Sequence, residues 1–143
     1  MTRPVHLTLL FSACLWLAGC ATTIPTDVDR PVSIAYSDPG ETELGRFFQA
    51  EISAHPGESG VVLVPTGEWG FRARAGLSNQ AEKTIDVQYY IWETDTAGSI
   101  LAERLMRAAD RGVRVRMLID HVTTSDTDFK FARMTYHPNI EIR

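Results

Sequence analysis

Two periods of apolar residues meet between residues 84 and 119. "TIDVQYYIW" alternates with period two, placing Ile85, Val87, Tyr89 and Ile91 on one side and Asp86, Gln88, Tyr90 and Trp92 on the other. Its β-branched and aromatic residues predict a strand. "SILAERLMRAADR" follows with helical spacing, its Ile100, Leu101, Leu105, Ala108 and Ala109 forming the inward stripe. Gly112 stands where a helix C-terminus needs a left-handed residue, after Arg107 and Arg111 in the last turns. "VRVRMLID" is the next strand, so strand, helix and strand make a βαβ unit with parallel strands. Upstream, Leu44, Phe47, Phe48 and Ile52 predict an amphipathic helix. "VVLVP" predicts a short strand ended by proline. A second helix should open on Thr66 as N-cap with Glu68 in its first turn, and present Ala73, Leu77 and Ala81 on one stripe. "DFKFARM" and a final strand, "NIEIR", complete the pattern. The expected fold class is α/β: three or four strands in a mixed, largely parallel sheet with flanking helices, built around the βαβ unit.

The N-terminus follows a different rule. Arg3 is followed by the 12-residue apolar run Leu7–Ala18 and then by Leu17-Ala-Gly-Cys20. The run suits the core of an export signal and is too short to span a bilayer as a helix. A cleaved signal with an incidental cysteine, or a buried helix, would explain the run alone. "LAGC" directly behind it resembles the bacterial lipoprotein lipobox, in which the signal is cut before the cysteine and that cysteine is acylated. The resemblance implies a signal peptide over 1–19, a lipidated tether over 20–40 with three prolines, and a domain over 41–143. Two acyl chains anchor a protein stably without a spanning helix. Ala21, rather than an aspartate, follows the cysteine, which points to the periplasmic face of the outer membrane within the cell envelope. Cys14 lies inside the signal, so the mature chain has no cysteine pair for a disulfide.

The composition, 44% apolar and 22% charged over 143 residues, is that of a globular domain. A formal charge of -4 argues against broad nucleic-acid binding, which needs a basic footprint.

In open α/β sheets ligands bind at the carboxyl ends of strands. Two such ends qualify, Trp92-Glu-Thr-Asp95 and Asp120-His121 with its loop. Asp120, His121, Asp126 and Asp128 would be the ligands of a metal site, but no second imidazole stands at ligand spacing, and Ser125 or Asp126 equally suits a helix cap. His121, Ser125 and an aspartate set no triad geometry at this spacing. A hydrogen-bonded loop histidine is the favoured reading. Glu93 and Asp95 offer an acid–base pair, although acids before a helix more often cap it. His55 and His137 each precede a proline and read as loop punctuation. Arg104, Arg107 and Arg111 share a helix face, which is either solvated or a contact for anionic headgroups.

Taken together, "SGVVLVPTG", "AEKTIDVQYYIWETDTAGSILAERLMRAADRGVRVRMLID" and "HPNIEIR" resemble, in that order, the N-terminal part of the phospholipase D superfamily in its cardiolipin synthase-like branch. "TELGRFFQAEISAHPGESG" is similar to that branch's lead-in, so the resemblance covers about residues 38–143. It implies a phosphodiesterase or phosphatidyltransferase acting on phospholipids through His-x-Lys-x4-Asp motifs. One histidine forms a phosphohistidine, another protonates the leaving alcohol, and no metal or other cofactor is needed. None of those motifs is found here. His121 is followed by Val122 and Thr123, His137 by Pro138 and Asn139, and His55 by Pro56 and Gly57. The two lysines, Lys83 and Lys130, never stand two places after a histidine. The expectation is therefore the N-terminal portion of such an enzyme, inactive alone, with no catalytic residue assignable. Its partners would be the membrane and either its missing C-terminal part or a second chain. The competing class is a non-enzymatic α/β lipoprotein module that binds a partner or anionic headgroups.

Overall fold

The computed structural model describes residues 32–120 and 128–143, and of residues 128–130 the backbone only. Ala35–Arg143 form one compact unit. Its elements run α1 (Glu43–Ala54), α2 (Gly67–Gln80), β1 (Thr84–Tyr89), α3 (Thr96–Asp110), β2 (Arg114–Ile119), α4 (Asp128–Met134) and β3 (Ile140–Ile142), with a single 3-10 turn at Pro39–Glu41 ahead of α1. The three strands form one parallel sheet in the order β1-β2-β3. Thr84 stands beside Arg114, Val87 beside Met117 and Met117 beside Ile142. The architecture is α/β, a small parallel sheet with flanking helices, built on the β1–α3–β2 unit that the two periods predict.

Each long helix starts where a short polar side chain meets an orphan backbone amide. Thr42 accepts from Gly45 N at 3.0 Å, Thr66 from Trp69 N at 3.2 Å and Asp95 from Gly98 N at 2.8 Å. α3 ends as its sequence requires. Gly112 takes φ 93°, and its N–H donates to the Ala109 carbonyl at 2.9 Å.

The core lies between α3 and one face of the sheet. Leu101, Leu105, Ala108 and Ala109 pack with Val113, Val115 and Met117, and Trp92, Phe131, Met134 and Ile140 close the cluster. Met117, Val113 and Val115 are essentially fully buried, each worth about 1.5–3 kcal/mol in removed apolar surface. Ala108 and Ala109 bring the helix backbone close to β2, where a larger side chain would hold it off.

Four expectations change. "VVLVP" is not a strand. Val61, Val62 and Leu63 are 79–88% exposed, and residues 61–65 have no regular structure. A strand exists only where its backbone groups find a partner, and β-propensity supplies fit to a sheet, not the sheet. α1 forms as predicted, but most of its apolar stripe is uncovered among the described residues; Phe47, Phe48 and Ile52 are exposed and only Leu44 is half-buried. α2 turns Phe71, Ala75 and Ser78 inward and leaves Ala73 and Leu77 exposed, because the small Ala75 and Ser78 form the side that α3 can approach. Finally, the β1 alternation ends at Tyr89. The chain bends at Tyr90, and Trp92 enters the core, edge to face with Tyr89 and Phe131.

Candidate functional site

The three strands are parallel, so their carboxyl ends lie along one edge. Tyr90-Ile-Trp-Glu leaves β1, Asp120 leaves β2 and Arg143 follows β3. Backbone bonds fix this edge. Asp120 N–H donates to the Tyr89 carbonyl at 3.1 Å, Ile119 N–H to that of Arg143 at 2.9 Å, and Arg143 N–H to that of Met117 at 2.9 Å. Asp120 is thus a half-buried carboxylate held at the end of the central strand, where open α/β sheets place ligand contacts. His121, Ser125 and Asp126 lie outside the described residues, as does the side chain of Asp128. Among the described residues no three His, Cys, Asp or Glu come together to hold a metal ion.

The β1 loop is built for structure. The Asp95 carboxylate is taken by the α3 cap, and Glu93 presents its carbonyl, not its side chain, to the helix. A Cβ placed on Gly98 would lie 1.9 Å from that oxygen, so only glycine fits there. The Glu93/Asp95 pair is therefore a turn and a cap in this geometry.

The three helix arginines do not act as one patch. Arg107 pairs with Glu103 one turn back. Arg104 is half-buried, and its Nε has no hydrogen-bond partner. Arg111 reaches to α2, where Nη2 donates to the carbonyls of Ser78 and Asn79 at 3.0 Å and of Ala81 at 3.2 Å, while Nη1 donates to Arg107 O at 3.2 Å. It satisfies carbonyls that the end of α2 leaves open and sets its charge at the negative end of that helix. This role has no sequence signal, because the two helices are joined only in space.

The histidines follow local contacts. His55 Nδ1 lies 3.2 Å from Glu58 Oε2 in an exposed turn. His137 is more than punctuation. Its Nδ1 accepts from Asn139 N–H at 3.1 Å, and its Nε2 lies 3.3 Å from Asp110 Oδ1. Asn139 Nδ2 donates to the Ala109 carbonyl at 3.0 Å. "HPN" therefore latches the entry of β3 to the end of α3.

On the sheet face away from the core, Asp86, Arg116 and Glu141 occupy one cross-strand row. Arg116 donates Nε and Nη2 to the two carboxylate oxygens of Asp86 at 2.6 and 2.8 Å. These hydrogen bonds, with the guanidinium charge, hold the Asp86 carboxyl below the usual carboxylate range. Beside β1 runs a cavity of about 490 Å³ whose lining includes the apolar Leu44, Leu77, Ile85, Val87 and Leu101 and the polar Arg74. Arg74 stacks over the Tyr89 ring, 5.8 Å from its centre.

No protein-family profile matches the chain. It is 44% identical over 91 residues to cardiolipin synthase C of Escherichia coli K12, a match over 64% of this chain and 19% of that protein. It is 31% identical over 136 residues to an uncharacterized protein of Helicobacter pylori, over 94% of this chain and 27% of that one. A cardiolipin synthase of Oceanobacillus iheyensis is 37% identical over 62 residues, 43% of this chain and 13% of the synthase. The chain thus spans at most 27% of the length of these relatives. Among solved structures it is similar to TrmBL2, an archaeal chromatin protein, at TM-score 0.47 and 17% identity over 71% of this chain and 40% of that one, a likeness too low to argue from. The sequence matches support the phospholipase D-like, cardiolipin synthase-like relationship that the motifs lead one to expect.

Proposed function

We propose that the chain is the N-terminal portion of a membrane-tethered, phospholipase D-like phosphodiesterase or phosphatidyltransferase acting on phospholipids. The 44% identity to cardiolipin synthase C over 91 residues carries this reading. The β1–α3–β2 unit supports it by placing Asp120 at a strand end where the fold class binds ligands. The role of this portion is scaffolding: α3, β2 and the Asp95 cap fix the edge on which a reaction centre would be assembled, while Arg111 fastens α2 to α3 at the opposite end of the strands. The nucleophilic histidine, its acid partner and the phosphate-binding lysines lie outside these 143 residues, since no histidine here is followed two places on by lysine. The protein stands on the periplasmic face of the outer membrane, held by acyl groups on Cys20. Among the described residues no helix is long and apolar enough to cross a membrane. Neither metal nor other cofactor enters the reading.

Two experiments test it separately. Phosphatidylglycerol vesicles incubated with the chain should show no release of glycerol and no cardiolipin; robust turnover by the purified chain would refute the division of labour. Cys20→Ala should move the chain from the membrane to the soluble fraction, and unchanged sedimentation with membranes would refute the anchor. The alternative, a non-enzymatic module that reads headgroups through Arg104, Arg107 and Arg111, gains nothing from the placement of Arg111 on backbone carbonyls and Arg107 on Glu103.

A further inference from the structure

We draw no further inference here: the strongest candidate, the cavity of about 490 Å³ beside β1 with Arg74 in its lining, borders a strand edge in a chain that spans at most 27% of the length of its relatives, and nothing in the structure shows what covers it.

Discussion

Replacing Gly98 by alanine should destabilise this protein, although the substitution normally strengthens a helix. Gly98 is the third residue of α3, and helix propensity alone favours alanine there by about 1 kcal/mol. The added Cβ would fall 1.9 Å from the Glu93 carbonyl oxygen, 3.1 Å from its carbon and 3.2 Å from Trp92 Nε1. None of these can yield cheaply, because Trp92 is buried in the core and Asp95 is bonded to the Gly98 N–H. Forced overpacking costs about 1–3 kcal/mol, and loosening the Asp95 cap adds about 1 kcal/mol. Against the propensity gain, the net loss is about 1–3 kcal/mol. At roughly 4–8 °C per kcal/mol for a domain near 100 residues, Tm should fall by about 10 °C. Gly76→Ala in α2 is the internal reference: a Cβ there meets nothing within 4 Å, so the same substitution should raise stability by about 0.5–1 kcal/mol. Thermal and urea unfolding followed by circular dichroism read both. If Gly98→Ala unfolds no earlier than the parent, or if the two variants shift in the same direction, the close approach of the β1 loop to α3 is not a constraint on the fold.

Two further outcomes follow from the contacts of charged groups. The folded-state pKa of Asp86 is depressed by Arg116, so the stability this pair contributes is present above the unfolded carboxyl value near pH 4 and disappears as pH falls through the lower folded value. The parent should thus exceed Asp86→Asn in urea resistance by a constant margin between pH 5 and about 7 and lose that margin in acid; a margin that grows on acidification contradicts the pairing. Arg111→Ala should lower stability by about 1–2 kcal/mol through the opened carbonyls of Ser78, Asn79 and Ala81, while Arg107→Ala, which removes only an exposed helix pair, should stay within about 0.5 kcal/mol. Equal effects in chemical denaturation would show that Arg111 does not fasten α2 to α3.

The central unit was legible because its signals are local. Alternation over Ile85–Tyr89, the Leu101–Leu105–Ala108 stripe and the Gly112 stop each state a backbone preference within a few residues, and the structure keeps all three. The same holds for Thr66 and Asp95, whose side chains serve amides three residues away. Asp120 was reachable for a related reason: a parallel strand pair fixes where strand ends lie. Where the chain had to meet itself at a distance, local pattern was silent or misleading. Val61–Val64 carries the residues of a strand but no partner edge, and the stripe of α1 predicts a helix without saying what covers it. Trp92 continues an alternating pattern on paper and enters the core because the chain bends at Tyr90.

By itself, then, the sequence determined the α/β class, the parallel β1–α3–β2 unit, the helix caps, and the absence of any histidine with a lysine two places after it. The tertiary structure alone decided that Arg111 clamps one helix to another, that His137 and Asn139 latch β3 to α3, that Arg116 grips Asp86, and that a cavity runs beside β1. The reason is the reach of the forces. Dihedral preference and capping act within one turn or one strand, whereas desolvated carbonyls, guanidinium pairs and sheet edges are settled by whichever distant residue the completed fold brings into contact.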